Sequence, residues 1–144
     1  YFKEDTFTSD MLSPPGEVQI RKISAAEYNL LRNGLLHDIP HVEYSGRFIE
    51  FESFLAAGNM FRIDGAGFTG AAAVEKYLDC AYVKELIVPP EALIPAAGSV
   101  AAAVPADKYV IRSVCRGGEC GTAFGMAKAP TLPFSSAWYG FALD

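Results

Sequence analysis

A chain of 144 residues, 51% hydrophobic and 20% charged, is long enough to bury one sizeable core and too apolar to stay disordered. Twelve basic against 17 acidic residues give a net charge of -5, with no clustered Lys and Arg, which argues against nucleic acid or an anionic membrane as partner. No signal peptide is visible, and the longest weakly polar stretch, Leu86 to Ala106, is interrupted by Pro89, Pro90, Glu91, Pro95 and Pro105, which rules it out as a spanning helix.

The chain begins at Tyr1 with YFKEDTFTSDM, which reads as a strand remnant running into a linker. This predicts a fragment with another domain upstream, although a trimmed tag or a cleaved precursor would look the same. Ser9 to Glu17 carries Ser, Pro, Pro and Gly and reads as linker or turn. Val18 to Ile23 alternates apolar and polar, the pattern of a half-buried strand. Ser24-Ala25-Ala26-Glu27 is a capping box, in which hydroxyl and carboxylate satisfy each other's backbone N–H groups. Tyr28, Leu31 and Leu35 follow as one apolar stripe of a helix ending near Gly34 to His37. A second helix is predicted over Gly46 to Ala57, with Phe48, Phe51 and Leu55 on one face and Gly58-Asn59 as its stop.

The period then changes to two. Met60 to Asp64 is a strand, Gly65-Ala66-Gly67 a turn, Phe68 to Leu78 a long strand, Asp79 and Cys80 a turn, and Ala81 to Val88 the next strand. This predicts a meander of three antiparallel strands. Pro90 to Val104 is a helix candidate weakened by Pro95 and Gly98, so that regular helix is expected only over Ala96 to Val104. Lys108 to Cys115, Thr122 to Ala127 and Trp138 to Leu143 are strands, with a loop at Arg116 to Gly121. The order β-α-α-β-β-β-α-β-β-β predicts a mixed α/β domain with a mostly antiparallel sheet.

Cys80, Cys115 and Cys120 are an odd number without disulfide-framework spacing, so a reducing cytoplasm is the expected compartment. Cys115 and Cys120 form one C-x4-C pair with no second pair. A turn with free thiols fits this better than a zinc site, and no metal is expected. His37 and His41 are separated by Pro40 and cannot share a helical face.

That order of elements is similar to the GNAT acyltransferase fold. Val18 to Tyr28 (VQIRKISAAEY) resembles the family's opening strand and first helix. Tyr82 to Glu91 (YVKELIVPPE) resembles the end of its fourth strand, where an apolar residue, a Val and a Pro commonly precede the cofactor loop. The resemblance covers roughly Glu17 to Asp144. The closing run, Phe124-Gly125-Met126 and then Trp138 to Asp144 (WYGFALD), is similar to the C-terminus of bacterial two-domain proteins in which a working GNAT domain precedes a GNAT-like one. On that likeness residues 1–16 are the last strand of an upstream domain and a linker, and residues 17–144 are the GNAT-like domain.

The resemblance implies acetyl-CoA as cofactor of the whole protein, held by a Gln or Arg, two residues, then Gly-x-Gly or Gly-x-Ala. The residues here are Glu91-Ala92-Leu93-Ile94-Pro95-Ala96-Ala97-Gly98. The glycines are missing, Pro95 lacks an N–H, and Glu91 adds a negative charge. An unfavourable charge at a partly shielded site costs on the order of 1–4 kcal/mol. Each lost charge-assisted hydrogen bond adds about 1.5–3 kcal/mol. Together these would erase micromolar binding, so no cofactor is expected on this fragment.

Two residues are candidates for catalysis. Glu85 sits on the central strand, where GNAT general bases are sometimes found, but a solvent-facing or cross-strand-paired carboxylate beside Lys84 is the favoured reading, with Glu75 and Lys76 of the neighbouring strand as partners for the Lys84–Glu85 pair. Tyr139 is a candidate general acid, as are Tyr82 and Tyr109, against the plainer reading of strand tyrosines as core or cleft wall. Tyr82, Ile87, Ser113 and Trp138 are candidates for an acceptor cleft. Cys115 would need a base beside it, and neither His is linked to it by the sequence. Phe124, Phe134, Trp138, Tyr139 and Phe141 gather aromatics that line a pocket, an interdomain surface or the core.

Three functions remain open: a domain shaping the acceptor cleft or an interdomain or dimer interface of an N-acetyltransferase, a divergent working acetyltransferase, and a non-enzymatic binding module. The expected partners are the upstream GNAT domain and a second copy of the chain.

Overall fold

The computed structural model describes residues 2–12 and 18–114. The meander read from the period-two pattern forms β3 (Met60–Gly65), β4 (Phe68–Tyr77) and β5 (Cys80–Ile87), joined antiparallel. The first turn is closed by Gly67 at φ +82°. The second lies one residue earlier than expected, at Leu78-Asp79, because Cys80 already pairs with Tyr77. β2 (Gln19–Lys22) adds antiparallel to β3 at one edge. On the other side β6 (Lys108–Val114) lies parallel to β5, and β1 (Phe2–Thr8) runs antiparallel to β6, from Phe2 opposite Val114 to Thr8 opposite Lys108. The sheet order is therefore β1-β6-β5-β4-β3-β2. The expected strands at Thr122 to Ala127 and Trp138 to Leu143 lie outside the described residues.

Two helices cover one face. Ser24 caps α1 (Ala25–Leu35) with the capping box complete, and Ser45 caps α2 (Gly46–Leu55) through Phe48 N–H. Both helices are rotated from the faces expected. On α1 the fully buried side chains are Tyr28, Arg32 and Leu36, with Leu31 and Leu35 half-buried. On α2, Ile49, Glu52 and Ala56 are buried, whereas Phe51 and Leu55 are 52% and 43% exposed. Helix α2 carries apolar residues around most of its circumference, so counting them cannot select the docking face. Docking selects it, with Phe48 stacked on Tyr44 at a centroid distance of 4.5 Å.

The opposite face is covered by α3 (Leu93–Ala103), which is longer than expected. Pro95 falls in its first turn, where an N–H would have no intrahelical partner, and so does not break it. Its buried residues Ala96, Ala97 and Val100 join Val83, Leu86 and Ile111 in one core cluster. Tyr109 closes the passage into β6: its hydroxyl accepts Ala106 N–H at 2.8 Å and lies 3.2 Å from the carbonyls of Ala101 and Val104. Among the described residues no helix is long and apolar enough to cross a membrane.

Candidate functional site

The sheet opens between its two parallel strands. β5 and β6 pair from Cys80–Lys108 to Val83–Ile111 and no further, although β5 runs on to Ile87 and β6 continues along β1 to Val114. The cause lies on β5. Its register against β4 shifts between Ala73–Glu85 and Val74–Val83, leaving Lys84 as an extra residue in a β-bulge that bends the strand away. A gap between parallel strands beside a helix start is where α/β sheets commonly seat ligands.

The bulge also decides where Glu85 points. Strict alternation from Val83 would put Glu85 on the apolar face under α3. The extra residue turns it to the α1 face, while Leu86 returns to the α3 side. There the Glu85 carboxylate receives Arg32 Nε at 3.0 Å on each oxygen and Tyr28 Oη at 2.7 Å on Oε2. Neither side chain of the Glu85–Arg32 pair has any exposure. Arg32 Nη1 donates to the Val42 carbonyl at 2.8 Å, and its guanidinium lies 4.7 Å from the Tyr44 ring centroid. One side chain thus ties α1, the α1–α2 connection and the bulged strand together. Burial, followed by the Glu85 charge and hydrogen bond, pushes the Tyr28 phenol well above its ordinary range.

Of the partners expected on the neighbouring strand, Glu75 does meet Lys84, at 3.4 Å, whereas Lys76 donates to the Pro105 carbonyl and Glu85 turns to Arg32 and Tyr28 instead. Arg32 and Tyr28 escaped the sequence reading. The available signal was an arginine four residues after Tyr28 within a helical stripe, since a charge placed there needs a buried counter-charge.

The remaining candidates separate. Tyr82 is 36% exposed, and its phenol is held above the ordinary range by a hydrogen bond with Cys80, then by the Cys80 charge, with Glu4 and Glu75 contributing. Ile87 is buried with Ile23, Tyr28 and Met60, in the core. Tyr109 is likewise a core residue. The backbone of Ser113 pairs with Lys3. Tyr139, Trp138, Cys115, Cys120, Phe124, Phe134 and Phe141 lie outside the described residues.

At the mouth of the gap, β5 passes through a 3-10 turn at Pro90–Ala92 into α3. A helix start leaves four N–H groups without intrahelical partners, here those of Ala92, Leu93, Ile94 and residue 95. Ala92 N–H is taken by the Pro89 carbonyl at 2.9 Å and Leu93 N–H by the Pro90 carbonyl. Pro95 has none. The junction is flanked by the exposed Leu93 and Ile94 side chains and the exposed Glu91.

No family model matches the sequence, and no curated protein matches it. A solved structure does: a GCN5-related N-acetyltransferase from Kribbella flavida superposes with a TM-score of 0.54 over 82% of this chain, at 16% identity. The chain spans 31% of that protein's length. With six strands, one parallel pair and helices on both faces among the described residues, the chain has a GNAT-like α/β fold.

Proposed function

We propose that this chain is the GNAT-like domain of a bacterial cytoplasmic N-acetyltransferase, placed C-terminal to a domain that holds acetyl-CoA. It does not hold the cofactor itself and instead shapes the acceptor cleft or an interface with that domain or a second copy. The reaction of the whole protein is attack of an acceptor amine on the acetyl thioester, with the amine proton passing to a carboxylate or water and the CoA thiolate leaving.

The observation that carries this reading is the β5–α3 junction. A diphosphate needs several converging N–H groups or cations. Here two amides are spent on the 3-10 turn, a third position is proline, and Glu91 faces solvent beside them. Glu85 supports it: with both oxygens engaged and no exposure, it has no path to an amine in the cleft and serves as a structural anion.

Calorimetry with acetyl-CoA tests the reading. The expected result is no binding at micromolar concentrations, and micromolar affinity would establish a rebuilt cofactor site and overturn it. The coding sequence ahead of Tyr1 gives a second check. A Gln or Arg-x-x-Gly-x-Gly following a predicted strand is expected there, and its absence favours a non-enzymatic binding module.

A further inference from the structure

On the α1 face, away from the gap, a cavity of about 450 Å³ opens between α1 and the outer strands of the sheet. Its volume falls within the roughly 300–1,000 Å³ of small-molecule sites. The two sides differ chemically. One wall is aliphatic, made by Leu30, Leu31 and Leu35 of α1 with Ile23 below, and Leu30 is 79% exposed. The polar lining is made by Arg21 of β2, Arg62 of β3 and Thr69 of β4, with Glu27 of α1 also at the cavity.

The polar lining holds an imbalance. Arg21 and Arg62 are direct cross-strand partners, so two like charges stand side by side, an arrangement that destabilises a sheet unless compensated. Arg62 is compensated: its Nε donates to both oxygens of Asp64 at 2.9 and 2.8 Å, and Nη2 donates to Thr69 Oγ1 at 3.2 Å. The other nearby carboxylate, Glu27, is engaged through Oε2 with the amide and hydroxyl of Ser24, at 2.9 and 2.8 Å. Arg21 makes no ion pair among the described residues, and its charge acts on Glu27 and Asp64 only from beyond ion-pair distance.

We propose that this cavity binds a small amphipathic carboxylate, with the anionic head on Arg21 between the two cross-strand arginines and the aliphatic body along Leu30, Leu31 and Leu35. A guanidinium fork suits a carboxylate, and an anion seated there removes the Arg21–Arg62 repulsion. The aliphatic wall rewards burial of a chain in proportion to its apolar area. The site is separate from the β5–α3 junction and does not depend on the proposed function, so acetyl-CoA calorimetry and the titrations below answer independently.

The test is methyl-resolved NMR titration of the protein with sodium octanoate, octylamine and 1-octanol. Octanoate is expected to shift the methyls of Ile23, Leu30, Leu31 and Leu35, with octylamine and octanol at least about tenfold weaker, the loss of one charge-assisted contact. Arg21→Gln, on an exposed edge strand, should weaken octanoate by about tenfold or more while leaving the rest of the spectrum in place. Leu30→Asp, at an exposed position, should abolish the shifts. Unmoved cavity methyls, equal affinity for octylamine, or undiminished octanoate binding by Arg21→Gln would each overturn the proposal.

Discussion

Glu85 and Arg32, 53 residues apart in sequence, form a fully buried ion pair in which one guanidinium nitrogen, Nε, lies 3.0 Å from both carboxylate oxygens. The pair fastens the first helix to the bulged strand at the place where the sheet opens. A buried pair of this kind is not a net source of stability, because desolvation of both charges offsets their attraction. Losing one partner is what costs.

Arg32→Met leaves the Glu85 charge buried and uncompensated, and should destabilise the chain by about 3–5 kcal/mol. The double variant Arg32→Met/Glu85→Leu should recover most of that loss, because it buries no charge. Urea unfolding of the two variants and the parent checks both statements. A single variant within about 1 kcal/mol of the parent would show that the pair is not isolated from water.

Tyr28 gives the network a signature in alkali. Its folded-state pKa is raised above the ordinary 10.0, so its contribution is fully present below pH 10 and is lost as pH climbs towards the folded value. The stability of the parent should therefore fall more steeply above pH 10 than that of Tyr28→Phe. At neutral pH, Tyr28→Phe should cost about 1.5–3 kcal/mol through the missing hydrogen bond to a charged group. Unfolding midpoints at pH 8 and pH 11 measure both effects, and parallel losses in the two proteins would contradict the assignment.

The two helix caps respond differently to acid. Ser45→Ala should cost about 1 kcal/mol with little dependence on acid pH, since residue 48 of its first turn is Phe. Ser24→Ala also breaks a reciprocal bond with Glu27, whose carboxyl is held below 4.5 by the Ser24 amide first and its hydroxyl second. A depressed carboxyl stabilises above its unfolded pKa and loses that contribution as pH falls through the folded value. The cost of Ser24→Ala should therefore shrink below pH 4.5 while that of Ser45→Ala stays level, as read by thermal unfolding at pH 7 and pH 3.

Glycine substitutions should separate close approach from chain entropy. A Cβ on Gly70 would lie 2.6 Å from the Ile87 carbonyl oxygen and 2.5 Å from Val88 Cγ1, so β4 and the end of β5 would have to part. Gly70→Ala is expected to cost about 1–3 kcal/mol. Gly34, in the last turn of α1, has open space where a Cβ would go, with no neighbouring atom within 4 Å, and Gly34→Ala should stabilise by up to about 0.5–1 kcal/mol. Chemical denaturation of both variants should show the opposite signs.

Much of the architecture was legible because its signals are local. The Ser24–Glu27 capping box lies within one turn of chain, and the alternation of β3, β4 and β5 is set by residues two apart. The helix rotations were not legible. Phe51 and Leu55 are as apolar as Ile49, and only the docked surface of α1 and the sheet selects which side of α2 is buried. The site was legible in part. The missing glycines and the prolines of the β5–α3 junction predict a poor phosphate cradle, and the 3-10 bonds that consume two further amides became visible only in the fold.

The sequence by itself determined the elements from β2 to β6, their order and the missing glycines of the β5–α3 junction, because propensity, capping and missing donors are properties of neighbouring residues, whereas the place of β1 beside β6 in the same sheet came only from the fold. The tertiary structure alone decided the role of Glu85. One extra residue at Lys84 reverses the face on which Glu85 emerges, and a side chain readable as a base becomes the buried partner of an arginine. No local pattern encodes that outcome, since a bulge is resolved only when the facing strand fixes the register.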